Sequence, residues 1–195
     1  MARQFHILVV CRANLCRSPM AERLTAGILR DRTAGRRHGL AVASAGTHAR
    51  DGAAMHPHAT ETLRTHGLVD GDFRSRRLTP ELLHRAQLVL TASRAHRAEC
   101  ARLAPAAVGR TFTLLQFARL AAVLPADELG EEADPGERLH RLVGAVPRLR
   151  AQAAPRMPED DDLRDPVTGP LADFAACADR IRTAVEEFAT VIAPR

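Results

Sequence analysis

Two residues near the start of the chain, Cys11 and Arg17, stand six positions apart in a short polar segment. An apolar run precedes this segment, and a helical pattern with Pro19 in its first turn follows it. A loop between a strand and a helix directs backbone N–H groups and a helix N-terminus at one point, which favours a bound dianion and a thiolate. The spacing therefore predicts a phosphate-binding loop with Cys11 as nucleophile and with Arg17, whose planar guanidinium can bind two phosphate oxygens at once. The predicted loop residues are Arg12, Ala13, Asn14, Leu15, Cys16, Arg17 and Ser18.

Short apolar strands alternate with helical patterns along the rest of the chain. The predicted strands are 5–10, 40–44, 88–91 and 111–114, and the predicted helices after the first are 59–66, 78–85, 93–103, 116–124, 138–151 and about 171–192. This alternation indicates an α/β fold with a parallel sheet covered on both faces. Ligands of such sheets bind beyond the carboxyl ends of the strands, where Cys11 falls.

The segment from Cys11 to Ser18, followed by Pro19, resembles the low-molecular-weight protein tyrosine phosphatases. Their loop commonly reads Cys-x-Gly-Asn-Ile-Cys-Arg-Ser-Pro, and here Ala13 replaces the glycine and Leu15 the isoleucine. The resemblance implies a three-layer sandwich with a four-stranded parallel sheet in the order 2-1-3-4. Further similar motifs are Ser44-Ala45-Gly46-Thr47, Arg76-Arg77-Leu78-Thr79-Pro80, Leu88-Val89-Leu90-Thr91 and Asp165-Pro166.

Each motif residue has an expected role in phosphate chemistry. Cys11 would form a phosphocysteine while Arg17 holds the equatorial oxygens, and Ser18 would donate a hydrogen bond to the sulfur. By resemblance, Asn14 is held by the Ser44 hydroxyl.

A carboxylate near the C-terminus is expected to act as general acid and then as general base. An acidic run makes Asp161 and Asp162 alternatives, but the Asp-Pro context just before the last helix favours Asp165. Many tyrosine-directed relatives continue with an aromatic residue, whereas this chain has Val167-Thr168. We therefore expect weaker binding of small aryl phosphates, with recognition shifted to residues that flank the phosphate and are bound by the segment at about 116–164.

Cys16 allows two interpretations. It forms a reversible disulfide with Cys11 that protects the thiolate from overoxidation, or it only packs the loop. Cys100 and Cys177 lie on apolar helical faces and are interpreted as core. No metal or cofactor is expected, because neither the cysteines nor the His56-Pro57-His58 turn shows zinc-ligand spacing.

The length of 195 residues predicts a single domain with a helical insertion at about 116–164, which either packs beside the active-site rim or is a surface elaboration without a role. The net charge is +5 with only six Phe and no Trp or Tyr, which argues against a nucleic-acid partner. All basic residues are Arg, and the pairs Arg36-Arg37 and Arg76-Arg77 are interpreted as solvated surface, with attraction of the substrate as the lesser alternative.

The start of the chain resembles a leader, but the apolar run after Met1-Ala2-Arg3 is too short for a signal core. No run approaches a membrane span. Four dispersed cysteines suit a reducing compartment, so a cytoplasmic enzyme is expected, as a monomer or weak homo-oligomer. Its expected partner is a phosphorylated protein, linked to a tyrosine kinase pathway.

Four functions fit these residues to different degrees. A phosphotyrosine phosphatase fits best. A thiol-linked arsenate reductase usually needs a second, closely spaced cysteine pair, which is missing. Protein-arginine phosphatases resemble this chain but carry Thr where Leu15 stands, and a silent phosphate-binding module is disfavoured by the joint presence of Cys11, Arg17, Ser18 and Asp165.

Overall fold

Four parallel strands form one sheet in the computed structural model, which describes residues 4–33, 39–69, 71–130 and 134–193. The strands are β1 (Phe5–Cys11), β2 (Leu40–Gly46), β3 (Leu88–Thr91) and β4 (Thr111–Thr113). Their order is β2-β1-β3-β4, which confirms the predicted topology. In the register, Cys11 lies opposite Gly46 and Val10 opposite Thr91, so the carboxyl ends of the three longest strands meet at one edge.

Helices connect the strands and follow the last of them. They are α1 (Arg17–Arg32), α2 (Pro57–Thr65), α3 (Pro80–Arg85), α4 (Arg94–Leu103), α5 (Leu114–Ala122), α6 (Pro135–Ala145) and α7 (Leu171–Ile192). Side chains that accept an N–H of the following first turn mark several starts, as expected of N-caps. These caps are Thr79, Ser93, Thr113 and Asp134. None of the described helices is long and apolar enough to cross a lipid bilayer.

The two faces of β1 bury different sets of side chains, since successive residues of a strand point to opposite sides. Ile7 and Val9 belong to a large cluster with Phe117 and Phe188, from α5 and α7. Leu8 and Val10 belong to a second cluster with residues of α3 and α4. The sheet is therefore covered on both sides, which confirms the three-layer architecture.

Several element ends differ from the sequence-based expectation for identifiable reasons. β4 ends at Thr113 because that hydroxyl caps α5, which starts at Leu114 rather than at residue 116. The helix expected over 138–151 is α6, which starts three residues earlier and ends at Ala145. Pro147 has no N–H to continue it, and a 3-10 turn over Val146–Leu149 follows.

Parts of three sequence predictions lie outside the described residues. They concern Met1-Ala2-Arg3, the pair Arg36-Arg37, and residues 131–133 of the expected insertion.

The expectation that the helices of 116–164 pack beside the active-site rim is wrong for α6. The ring of His140 on α6 meets the ring of Phe5 with centroids 6.5 Å apart. Phe5 begins β1 whereas Cys11 ends it, and a strand of seven residues spans about 20 Å. The apolar face of α6 is buried at the amino end of the sheet, whereas the last part of the segment, near Asp162, returns to the site.

Candidate active site

The phosphate-binding loop leaves β1 at Cys11 and enters α1 at Arg17. The N–H groups of residues 12–16 donate to no oxygen within the described part of the chain. Successive free N–H groups at the start of a helix form an anion-binding concavity. The backbone therefore has the donors that a phosphate group needs.

The tight course of this loop depends on Asn14 and Gly46. Asn14 has φ 55, the left-handed conformation that a short polar side chain tolerates, and it is alone in this among the described non-glycine residues. Ala13 needs no positive φ, so its replacement of the family's glycine costs the backbone nothing. A Cβ at Gly46 would lie 2.6 Å from the Arg12 carbonyl oxygen, so β2 must end in glycine where the loop passes.

A hydroxyl lies against the thiol of Cys11. The Ser18 Oγ is 3.0 Å from the Cys11 Sγ, and the Asn14 Nδ2 donates to the same Oγ at 2.9 Å. An amide nitrogen only donates, so the Ser18 hydroxyl accepts there and keeps its own proton for the sulfur. The other acceptor within reach of that hydroxyl, the Ala45 carbonyl, is farther away at 3.4 Å.

The hydrogen bonds continue behind Asn14 to residues that the sequence analysis missed. The Asn14 Nδ2 also donates to the Ser44 Oγ at 2.8 Å, and the Ser44 hydroxyl donates to the Glu22 carboxylate at 2.6 Å. The Arg76 N–H donates to the Asn14 Oδ1 at 2.9 Å, which fixes the orientation of the amide. Glu22 lies four positions after Ser18, on the same face of α1, and this spacing is the signal that could have identified it.

In many relatives a histidine near the position of Phe73 joins this network. Phe73 is buried here and offers no hydrogen-bonding side chain. The Arg76 Nε donates to the Ser44 carbonyl at 2.6 Å, so Arg76 binds both Asn14 and the end of β2. The interpretation of Arg76 as solvated surface is therefore wrong, because its side chain is half-buried and bonded to the end of β2. Glu22 and Arg76 complete a network that the sequence left open.

The guanidinium of Arg17 is buried and joins the loop to a distant segment. Its Nη1 donates to the Leu163 carbonyl at 3.1 Å, and its Nη2 forms an ion pair with the Asp165 carboxylate. The Leu163 N–H donates to the Ala92 carbonyl at 2.8 Å, which anchors this segment to the end of β3. Asp165 therefore lies at the mouth of the loop, with 41% of its side chain exposed.

The two alternative carboxylates point elsewhere. Asp161 is buried against Arg119, with an N–O distance of 2.6 Å. Asp162 pairs with Arg94 at 3.0 Å and accepts the Arg94 N–H at 2.7 Å. Both hold the segment in place, which leaves Asp165 beside Arg17.

Two further thiols, those of Cys16 and Cys177, lie near the Cys11 thiol. Burial, followed by the neighbouring Cys11, raises the pKa of Cys16 to about 12. Burial likewise raises the pKa of Cys177 on α7 to about 12, against a lowering by the charge of Arg17. Both are buried as predicted for packing, but the proximity of Cys177 to the loop was not foreseen. At neutral pH neither thiol supplies a thiolate.

His96 is a further group near the site that the sequence analysis missed. Burial, and then the charge of Arg17, lowers its pKa to about 4. Its Nδ1 lies 2.7 Å from the Ser93 Oγ at the start of α4. The ring is therefore neutral at physiological pH and adds no charge beside the guanidinium.

The sheet order, the loop and the position of Cys11 define a phosphatase of the cysteine-dependent class. The family model of the low molecular weight phosphotyrosine protein phosphatases matches residues 6–127. The chain belongs to this family. The predictions of family and enzyme class are thereby confirmed.

Relatives with two substrate names match the chain. EpsP of Ralstonia nicotianae, a low molecular weight protein-tyrosine-phosphatase by name, is 35% identical over 147 residues, covering 74% of this chain and 96% of the relative. Etp of Escherichia coli K12, named in the same way, is 36% identical over 57% of this chain and 70% of its own length. A protein-arginine-phosphatase of Geobacillus stearothermophilus is 28% identical over 95% of this chain and 94% of its own length.

Solved structures agree on the fold. The arginine phosphatase YwlE of Geobacillus stearothermophilus has a TM-score of 0.67 at 26% identity, covering 95% of this chain and 90% of that structure. The tyrosine phosphatase AmsI of Erwinia amylovora has a TM-score of 0.66 at 22% identity, covering 100% and 96%. At this identity the second match supports the fold alone.

Proposed function

We propose that the protein hydrolyses phosphotyrosine in phosphorylated proteins through a phosphocysteine on Cys11. The observation that carries this proposal is the Ser18 hydroxyl directed at the Cys11 sulfur, in a loop whose Arg17 guanidinium pairs with the Asp165 carboxylate. A hydroxyl donor at this position stabilises the thiolate and makes the sulfur a better leaving group. The sequence analysis assigned the same roles to these residues.

In the first step the Cys11 thiolate attacks phosphorus in line. The S–P bond forms as the P–O bond to the tyrosine breaks, and Asp165 protonates the departing phenolate oxygen. The loop N–H groups and Arg17 hold the three equatorial oxygens while their charge redistributes.

In the second step water hydrolyses the phosphocysteine. Asp165, now a carboxylate, takes one proton from the water as its oxygen bonds to phosphorus. The S–P bond breaks and inorganic phosphate leaves. Cys11 is regenerated as a thiolate that accepts a hydrogen bond from the Ser18 hydroxyl.

The ion pair between Arg17 and Asp165 must open during this cycle. Arg17 donates to the segment that carries Leu163 and Asp165 through both of its terminal nitrogens. A bound phosphate would accept hydrogen bonds from the same two nitrogens. Entry of the phosphate therefore displaces Asp165 from Arg17 and frees it to face the leaving oxygen.

Phosphotyrosine is favoured by the tyrosine phosphatases among the relatives. Phosphoarginine is the second candidate, because an arginine phosphatase matches nearly the whole chain. Arginine phosphatases carry Thr where this chain has Leu15, and Leu15 has no hydroxyl to orient water at a phosphoramidate. The absence of that hydroxyl makes phosphotyrosine the better substrate.

The decisive experiment compares the purified wild type with Cys11→Ser and with Cys100→Ser, a control for the same exchange away from the loop. The wild type and the control should hydrolyse an aryl phosphate and a phosphotyrosyl peptide, whereas Cys11→Ser should bind vanadate without turnover. Measurable hydrolysis by Cys11→Ser would overturn the mechanism. A higher kcat/KM for phosphoarginine than for phosphotyrosine would make phosphoarginine the substrate in place of phosphotyrosine.

We further propose the biological setting that the sequence suggested. Four free thiols suit a reducing compartment, so the enzyme acts in the cytoplasm, opposes a tyrosine kinase and works as a monomer or weak homo-oligomer. A disulfide between Cys11 and Cys16 would protect the nucleophile. The raised pKa of Cys16 means that this disulfide forms slowly at neutral pH.

A further inference from the structure

One wall of the active-site mouth is formed by residues 47–52, which follow β2. The His48 N–H donates to the Arg12 carbonyl at 2.8 Å, so this segment runs beside the phosphate-binding loop. The Ser75 hydroxyl donates to the Arg50 carbonyl at 2.5 Å. Arg50 is therefore held between the mouth and the segment around Ser75.

A second segment extends the same wall. The Arg77 N–H donates to the Asp51 carboxylate at 2.6 Å. The backbone of Arg77 also forms an isolated parallel β-bridge with Gly46 at the end of β2. Arg12, Arg50 and Arg77, which we call the basic rim, thus follow one edge of the site. All three side chains are exposed.

The basic rim keeps its positive charge. None of its three guanidinium groups forms an ion pair with an acid in the part of the chain that the structure describes. Two acids lie near the rim, against its three arginines, and leave its net charge positive. Asp51 accepts the Arg77 N–H, and Glu99 lies 3.5 Å from the His48 Nδ1.

The opposite wall has a different character. Val167 and Leu171 follow Asp165 and expose 44% and 42% of their surface. Neither attracts charge. The basic rim places three arginines along one side of the mouth, and Arg164, next to Asp165, is a further exposed arginine on the other side.

We propose that the basic rim selects phosphorylated segments with acidic residues beside the phosphorylated one. This proposal rests on the proposed function. An extended peptide places the side chains two positions away about 7 Å from the phosphorylated residue, within reach of long arginine side chains. Recognition of flanking residues, expected from the missing aromatic wall, then lies with the basic rim rather than with α6, which is at the other end of the sheet.

The test uses three phosphotyrosyl peptides of equal length, flanked on both sides by Glu, Gln or Arg. At low salt the wild type should prefer the Glu peptide over the Arg peptide by about tenfold in kcat/KM, since an exposed ion pair is worth up to about fivefold. Salt at about 0.5 M should reduce this preference to about twofold. The effect should appear mainly in KM.

The double variant Arg50→Glu with Arg77→Glu should lose or reverse the preference. Arg102→Glu is the matched control, because it makes the same charge change on an exposed side chain near the far end of α4. If the double variant folds poorly, Arg50→Gln with Arg77→Gln should reduce the preference to about twofold. A small aryl phosphate serves as an internal standard: each peptide kcat/KM is divided by the aryl phosphate value of the same variant, so that an effect on the bound phosphate itself is removed from the comparison.

Two results would overturn the proposal: equal kcat/KM for the three peptides in the wild type, or an unchanged preference in both double variants. Failure of the proposed function looks different. In that case the wild type hydrolyses neither the aryl phosphate nor any peptide.

Discussion

The two sides of the phosphate-binding loop are built differently. On the buried side, Asn14, Ser18 and Ser44 bond to one another and to Glu22, all within the first fifth or so of the chain. On the open side, Asp165 comes from a segment about 150 residues further along and is held by Arg17.

This difference separates what must stay fixed from what must move. The buried side holds a donor against the sulfur throughout the cycle, and such fixed dipoles need no reorganisation during the reaction. The open side carries an acid that must leave Arg17 and meet the leaving oxygen. Substitutions on the open side should therefore depend on the leaving group, whereas substitutions on the buried side should act through the sulfur.

The largest effect is expected at Asp165. Asp165→Asn should lower kcat by about 10²- to 10⁴-fold for a phenolate that needs protonation, and much less for a leaving group of low pKa. The same variant frees Arg17 from its ion pair, so vanadate should bind at least as tightly as it binds the wild type. Equal losses of kcat for both leaving groups would assign the acid to another residue.

A second test on the open side concerns stability and His96. The pKa of His96 is lowered to about 4 in the folded protein. Between pH 6.5 and 4 the unfolded chain therefore binds a proton at this residue that the folded protein does not bind. Stability should fall as the pH decreases through this window, with about 2 kcal/mol lost through His96 at pH 5. Urea unfolding of the wild type and of His96→Asn at pH 7 and 5 measures the contribution, and parallel losses in both proteins would refute it.

On the buried side, Ser18→Ala removes the hydroxyl at the sulfur. A hydrogen bond to a charged group supports a loss of about 10- to 100-fold in kcat/KM. The loss should be equal for good and poor leaving groups, and alkylation of Cys11 by iodoacetate should need a higher pH. A loss that follows the leaving group would place Ser18 with the acid instead.

The smallest effect is expected at Glu22, which acts on Cys11 only through Ser44, Asn14 and Ser18. Glu22→Gln should lower kcat/KM by about 3- to 10-fold, because the amide can turn its NH2 group towards Ser44 and disturb the direction of the bonds. The alkylation profile should shift in the same direction as in Ser18→Ala, but less. Glu61→Gln, an exposed exchange on α2, is the control. An unchanged alkylation profile would make Glu22 a purely structural residue.

The strand and helix pattern was largely accessible from the sequence, because β1, β3 and α7 carry strong local signals. The phosphate-binding loop was accessible for the same reason, since its residues are contiguous and its spacing from Cys11 to Arg17 is short. The predictions that failed concern elements whose packing partner cannot be identified from neighbouring residues. The apolar face of α6 predicted a buried helix correctly, but nothing in residues 135–145 says which end of the sheet it covers.

The sequence by itself determined the family, the sheet, and the segment that carries Cys11, since these follow from neighbouring residues and from periodicity. Only the tertiary structure placed Asp165 on Arg17 and directed Asp161 and Asp162 to other arginines. It alone brought Glu22 and Arg76 to the network behind Asn14 and arranged the basic rim along one edge. The physical reason is that hydrogen bonds and ion pairs between distant residues depend on how helices pack on the sheet, and packing is set by the whole core rather than by any one segment.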